Sequence, residues 1–390
     1  MSREEKIQLS LTSENSHLVK IPLGQGSFAI GEEGMDAKKF DVLVAPGLPI
    51  NWDCFNTFFT GSGSTKAHLF PYGDWPRFFY YWGNNTSFIT WSEKRAIEQF
   101  TWSPSNPSVA DFTKSNIDRL IINVEQSELE LQLGVHRYFC LTGNIAQAKI
   151  SQVNKIDTLS LVPKVVKKGQ LPYQLPVFDA FQEISTLEVE VGPLGQPLDC
   201  ESLLQFTKLT DLSLSGNLTN LHCLEQLSGL ESLAIRYAPQ LEGLPTLQVW
   251  PHLNSFIGWN IEESKGKLLR REVKALAQAR MMGHTSVSKL RKSIWFTTEY
   301  GIPFDAWSGK NAKTAVKAYK DAVKQLKKVK TETEAKDVLT TFARIFNELP
   351  QIETTERENI AEAVEQLRQV PSVEIDAQKA NQWFDEVRDY

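Results

Sequence analysis

Between Ile117 and Asn260 apolar residues recur in one phrase: an apolar residue, two others, an apolar residue, any residue, and a further apolar residue. Its clearest copies are Leu209-Thr-Asp-Leu212-Ser-Leu214-Ser-Gly-Asn217 and Leu230-Glu-Ser-Leu233-Ala-Ile235. Looser copies begin at Ile117 (Leu120, Ile122), Val135 (Tyr138, Cys140), Ile156 (Leu159, Leu161), Ile184 (Leu187, Val189) and Leu253 (Phe256). Alternate side chains of a strand point to opposite faces, so the fourth and sixth positions go inward together while the third, fifth and seventh face out. One such unit cannot bury its inward row alone, and neighbours must stack to make the core continuous.

Successive copies start 18, 21, 28, 25, 21 and 23 residues apart, close to the roughly 20–29 residue period of leucine-rich repeats. The stretch resembles that family. The resemblance implies a solenoid whose parallel strands line a concave binding face, and it names no partner. The family's ninth-position Asn, which closes the turn by bonding backbone groups, falls at Asn217; the other copies have Glu125, Gly143, Lys164, Gly192, Ala238 and Ile261 there. An ordinary α/β domain with several apolar strands is the alternative. The repeat is interrupted between Pro163 and Phe181 by Lys164-Val-Val-Lys-Lys and Leu171-Pro-Tyr-Gln-Leu-Pro, and insertions of this kind map to loops.

Read by column, the outward third position carries Arg119, Arg137, Thr158, Thr186, Asp211, Ser232 and Ser255. The fifth carries Ile121, Phe139, Ser160, Glu188, Ser213, Ala234 and Ile257, and the seventh Asn123, Leu141, Val162, Glu190, Ser215, Arg236 and Trp259. Apolar patches at both ends (Ile121, Phe139 and Leu141; Ile257 and Trp259) thus flank a polar middle. Such patches mark a contact surface unless flanking domains cover them. The candidate partner-binding residues are Arg119, Arg137, Glu188, Glu190, Asp211, Arg236, Ile257 and Trp259.

Before the repeats, Ile7, Leu9 and Leu11 alternate as a strand does, and Phe40-Asp-Val-Leu-Val-Ala makes another. Turn signals follow at Pro46-Gly47 and Gly61-Ser-Gly-Ser. Phe70, Tyr72, Trp75, Phe78, Phe79, Tyr80, Tyr81, Trp82, Phe88 and Trp91 then crowd together, enough large rings to form a core that caps the repeat stack. A ligand pocket is the sharper alternative. Leu23-Gly24-Gln25-Gly26-Ser27-Phe28-Ala29-Ile30 has the look of a kinase glycine-rich loop, but no strand lysine, H-R-D or D-F-G accompanies it, and it reads as a turn between strands.

After the repeats the period becomes helical. Leu268, Leu269, Val273, Leu276 and Ala277 predict a helix ending near Gly283, and Ser293 opens an aromatic connector running to Trp307. A helix then places Ala312, Val316, Tyr319, Val323 and Leu326 on one face with Lys313, Lys317, Lys320, Lys324 and Lys328 among those opposite. Capping boxes at Thr331–Glu334 and Thr355–Glu358 open two more, and a last helix starts at Asp376. Short links between such helices predict a small bundle. The fold class is α/β: a leucine-rich-repeat-like solenoid over 117–262, an N-terminal α/β aromatic-rich cap over 1–116, and a C-terminal all-helical bundle over 263–390.

Charge alters this picture in one place. Residues 264–330 hold 17 Lys+Arg against 4 Asp+Glu, whereas 331–390 hold 6 against 14, within a chain of net charge −5. The acidic segment can neutralise its neighbour, which is the favoured reading; left open, the basic one suits nucleic acid or an acidic protein. The 4 cysteines are scattered without a C-x-x-C pair, and the 6 histidines lack paired metal spacing. No phosphate loop or nucleophile elbow occurs. Some bacterial effectors join leucine-rich repeats to a helical ubiquitin ligase; this chain is similar in order, but Cys223 is its last cysteine, so the helical part lacks that thiolate.

The expectation is therefore a non-enzymatic cytoplasmic interaction module without cofactor, metal or membrane span. Its partner is another protein held on the repeat face and the adjacent helices. By analogy of architecture alone, it acts as an immunity or effector-regulating protein. Nucleic-acid binding through 264–330 is the alternative, and a hydrolase or transferase using an aromatic pocket near Trp75 is a third.

Overall fold

Leu187, Leu212 and Leu233 stand opposite one another on adjacent parallel strands, Thr186–Glu190, Asp211–Ser215 and Ser232–Arg236. The structure, a computed structural model, describes residues 6–22, 25–56, 76–166 and 171–389. It divides into two compact units: Met1–Arg236 with Glu242–Gly258 and Leu269–Val287, and Tyr237–Leu241 with Trp259–Leu268 and Ser288–Tyr390. The architecture is mixed α/β, with one large, mainly parallel sheet and several C-terminal helices.

Among the described residues the sheet has 13 strands. From one edge its order is His284–Ser288, Ser255–Trp259, Ser232–Arg236, Asp211–Ser215, Thr186–Glu190, Ala148–Pro163, Leu129–Gly143, Ile117–Val124, Ile97–Ser103, Phe78–Trp82, Ser27–Glu32 and Val42–Val44. Ser108–Asp111 pairs, off this path, with the first part of Leu129–Gly143. From Ser232–Arg236 to Val42–Val44 each pairing is parallel. Strands from before and after residue 117 belong to this one sheet, Ile97–Ser103 pairing with Ile117–Val124, and the ladder continues into strands of the aromatic-rich region.

Register explains what is buried. Phe28, Phe79, Phe100, Leu120, Phe139, Leu159, Leu187, Leu212 and Leu233 form one inward column, each 2% exposed or less. Ile30, Tyr81, Trp102, Ile122, Leu141, Leu161, Val189, Leu214 and Ile235 form the second. Burying one such side chain contributes about 1.5–3 kcal/mol, and each row is completed only by the next strand.

The connections supply the layer behind. Short 3-10 turns and one helical turn bring Trp52, Phe55, Phe88, Ile145, Phe181, Leu203, Leu224 and Leu247 into the core. Phe88 stacks on Phe100 at 4.1 Å between centroids, so Phe79, Tyr81, Phe88 and Trp91 of the aromatic run do enter a core. Phe70, Tyr72, Trp75 and the turn at Gly61 lie outside the described residues, as do Lys167 and Lys168 of the insertion. So do Leu23 and Gly24; the described part of that glycine-rich stretch leads into the strand Ser27–Glu32.

One sequence copy is corrected. The phrase assigned to Val135 starts one residue later, at His136, because Phe139 and Leu141 pair with Leu120 and Ile122. A one-residue slip exchanges the two faces of a strand. Phe139 and Leu141 are therefore core, and Tyr138, Cys140 and Thr142 take the outward positions. The shift also puts Gly143 and Asn144 at the eighth and ninth positions, matching Gly216 and Asn217; Gly83 and Asn84 complete the set on the strand Phe78–Trp82. Gly143 and Gly216 have φ of +91 and +108, and a Cβ there would press on the carbonyls of Val124 and Val191. The Asn217 amide donates to the Gly195 carbonyl at 2.7 Å, while the Asn84 side-chain oxygen accepts from the amides of Ser105 and Asn106 at 3.0 and 2.9 Å.

In the second unit, Ser293–Tyr300, Gly309–Leu326, Glu332–Asn347, Thr354–Leu367 and Ala377–Asp385 are helical. Part of the expected connector at Ser293 is thus a helix. The amphipathic faces of the last four helices bury Tyr319, Phe342, Phe346, Ile360, Val364, Trp383 and Phe384 together. Inside, Tyr319 donates to the Gln366 side-chain oxygen at 2.6 Å and Gln366 donates to the Gly301 carbonyl at 2.9 Å, so the polar atoms within this core are paired. The capping box at Thr331 is present; the second sits at Glu353 and Glu356, so that helix begins at Thr354. The long helix Glu263–Ala279 stops before Gly283, and His284–Ser288 is a strand that the sequence reading placed in no element.

Candidate functional site

The inward columns leave the opposite side of the sheet as rows of a different character. Its third-position row runs Ser27, Phe78, Gln99, Arg119, Tyr138, Thr158, Thr186, Asp211 and Ser232. The fifth runs Ala29, Tyr80, Thr101, Ile121, Cys140, Ser160, Glu188, Ser213 and Ala234, and the seventh includes Trp82, Asn123, Thr142, Glu190, Ser215 and Arg236. Neighbours across strands are about 4.8 Å apart and alternate residues along one about 6.6 Å apart, so these side chains form a lattice of close-set groups.

The candidate residues separate on this lattice. Arg119 lies on it, its guanidinium 4.1 Å from the centroid of the Tyr138 ring. Arg137 does not: the register correction removes it from the row, and its Nε donates to both Asp118 oxygens at 3.1 and 3.0 Å. Glu188 and Glu190 are exposed on one strand; Asp211, on the next, accepts from the Thr210 hydroxyl at 2.8 Å. Arg236 donates to the Ser213 hydroxyl at 2.7 Å. Ile257 is half-buried on Ser255–Trp259. Trp259 is exposed and belongs to the second unit.

Sequence reading missed the aromatic end of the face. Phe78, Tyr80 and Trp82 are half-buried there, while Phe79 and Tyr81 between them are core. Period-two alternation was the available signal, hidden because all five residues are aromatic. Trp82 meets Phe40 edge-on at 5.1 Å and also lines a cavity of about 200 Å³ with Glu32, Asn84 and Asn85. Burial pushes the Tyr138 phenol and the Cys140 thiol up, although a hydrogen bond with Ser160 opposes the rise in each. Cys54 is pushed up to about 12 and Cys223 to about 11, again chiefly by burial, and burial raises Cys200 as well. Reactive thiols have the opposite perturbation.

His136 occupies the first position of its unit in a buried row otherwise made of Ile97, Ile117, Ile156, Ile184, Leu209 and Leu230. Its Nδ1 donates to the Ile117 carbonyl at 2.7 Å, which places the ring proton there, and its buried Nε2 has no hydrogen-bond partner. Burial is the main cause that lowers its pKa below the usual 6.5.

The lysine stripe is open. Lys313, Lys317, Lys320, Lys324 and Lys328 are exposed, and among the described residues none is in an ion pair. The neighbouring acids are engaged nearer home: Glu332 with Lys379, Glu386 with Lys336, Glu365 with Arg368 and Asp385 with Arg388. Neutralisation by the acidic segment is therefore not seen as ion pairs to these five lysines among the described residues.

Among the described residues no group of three or more His, Cys, Asp or Glu is placed to hold a metal ion, and no helix is long and apolar enough to cross a membrane. No protein-family model, no curated protein and no solved structure matches the chain.

Proposed function

We propose that the chain is a leucine-rich-repeat-like solenoid that binds another protein on the open side of its sheet, without catalytic chemistry of its own. The observation that carries this reading is the division of one register into two buried columns and an opposite lattice of mixed character, mostly half-buried, with Glu188 and Glu190 exposed. Aromatic rings at Phe78, Tyr80 and Trp82 lie toward one end, the Arg119–Tyr138 stack follows, and the carboxylates of Glu188, Glu190 and Asp211 lie toward the other. Rigid aromatic and Arg anchors beside charge that sets orientation are the composition of protein interfaces. The recurrence of Gly and Asn at the eighth and ninth positions of three units supports the repeat reading, since the family closes its turns with that Asn. A cytoplasmic setting and an immunity or effector-regulating role stay within this proposal as its narrowest form, resting on the order of the parts.

Affinity capture from native cells tests it, with wild type compared against Tyr138→Ala, Glu188→Lys and Arg236→Glu. Loss of one common partner across these variants is the expected result. Retention of every partner by all three removes the sheet face as the site. Nucleic-acid binding over 264–330 draws on the exposed lysines of Gly309–Leu326, but the unit that holds this helix also carries the acidic 331–390 segment, which repels an extended polyanion.

A further inference from the structure

On the helix Gly309–Leu326, Lys313, Lys317, Lys320 and Lys324 share one exposed side. Their spacing of four, three and four residues keeps them in a single stripe, and like charges at these intervals repel. Ala312 and Val316 run beside them, half-buried, and together with Lys313, Lys317, Lys320 and the exposed Asp321 line an open groove in which three lysines outnumber one carboxylate. A surface of this kind suits a partner that brings both carboxylates and a small apolar side chain.

The same chain carries that combination. On the helix Thr354–Leu367, Glu358 and Glu362 are exposed one turn apart, with the half-buried Ala361 between them. Among the described residues neither is in an ion pair, whereas Glu365, the next residue of the stripe, is held by Arg368. Glu358 and Glu362 repeat the interval of Lys313 and Lys317, and the small Ala361 allows close approach to Val316.

We infer that the lysine side of Gly309–Leu326 in one chain docks on the Glu358–Glu362 side of Thr354–Leu367 in a second copy. Charge complementarity selects the occupant. Each chain holds four exposed lysines with only Asp321 among them, and a Glu358–Glu362 pair that is in no ion pair among the described residues, and a second copy satisfies both. A nucleic acid would meet only the lysines, would leave Val316 and Ala312 uncovered, and would be opposed by residues 331–390, where 14 Asp+Glu outnumber 6 Lys+Arg. If the pairing is reciprocal the product is a closed dimer, and if it is one-sided, an open chain of subunits.

Sedimentation equilibrium of the full chain tests this at about 100 μM, in about 20 mM and about 0.5 M salt, conditions that span weak and near-complete screening. The expected result is an average mass at least twice that of the monomer at low salt, falling to the monomer at high salt. Lys317→Glu with Lys320→Glu, and separately Glu358→Lys with Glu362→Lys, each give a monomer at low salt, and mixing the two double variants restores the associated mass. These are exposed positions, and unchanged circular dichroism confirms that each variant folds. A wild-type monomer at low salt overturns the inference, as does association that survives either double variant or a mixture that stays monomeric. Retardation of a roughly 30-nucleotide single strand by a chain that remains monomeric, abolished by the lysine reversals, also overturns it and assigns the stripe to nucleic acid.

Discussion

The sheet and the C-terminal helices solve backbone pairing in opposite ways. In the sheet, from Phe78–Trp82 to Ser232–Arg236, strands that share hydrogen bonds lie about 20 to 28 residues apart in sequence, so Leu212 is buried only because Leu187 and Leu233 flank it. In the helices the bonds are internal, ends are closed by local groups such as Thr331 and Asp376, and long-range order comes from side chains such as Tyr319 and Gln366. An error in the sheet therefore propagates through register, and an error at a helix end stays where it is.

The largest expected difference follows from the aromatic core. Phe100→Ala removes a ring stacked on Phe88 and Phe79 and is expected to cost about 3–5 kcal/mol in urea unfolding. A loss below about 1 kcal/mol, within the range of a surface change, breaks the claim of a continuous core. Gly216→Ala forces a Cβ onto the Val191 carbonyl at φ +108 and is expected to cost roughly 1–3 kcal/mol. Gly309→Ala, at φ +62 with nothing within 4 Å, is expected to lose about 1 kcal/mol; an equal loss at both glycines removes the close-approach argument.

In the helices, Tyr319→Phe strands the buried Gln366 oxygen and is expected to cost about 1–3 kcal/mol. Thr331→Ala deletes the cap on the Glu334 amide at about 1 kcal/mol, with the amide-exchange change confined to the first turn of that helix. The smallest effect is at His136. Its folded pKa lies below 6.5, so the folded chain holds the neutral ring; the stability this gives is complete above pH 6.5 and is lost as pH falls through the lowered value. Thermal melts of wild type and His136→Leu between pH 5 and 8 are expected to diverge only on the acid side. Parallel pH profiles would show that the ring is not a buried neutral one.

How far the sequence revealed this depended on which residues filled the pattern. Where leucine and isoleucine occupied the fourth and sixth positions, as at Leu212 and Leu214, the phrase named the strand and its inward residues directly. At 135–141 an extra apolar residue on each side, Val135 and Leu141, allowed two registers, and only pairing with Leu120 chose between them. The unit at Phe78 escaped because its pattern is written in aromatic residues, which read as a cluster rather than an alternation, while the stretch before Ile30 reads as a glycine-rich turn and Ile97–Ser103 enters no element expected from sequence. Helix starts were legible where a cap is local chemistry, as at Thr331, and displaced by two residues where Glu353 replaces the expected Thr355. The lysine stripe was plain in sequence, but that Glu332, Glu386, Glu365 and Asp385 pair with Lys379, Lys336, Arg368 and Arg388 was visible only in the fold.

Everything claimed for the open face rests on the register of the strand Leu129–Gly143. Single cysteines placed at positions 137–142, in a chain whose native Cys54, Cys140, Cys200 and Cys223 are replaced by alanine, report it through their rates of thiol labelling in the native state. The account predicts labelling at 138 and 142 and strong protection at 139 and 141. Protection at 138 with labelling at 139 and 141 would contradict it and return Phe139 and Leu141 to the surface.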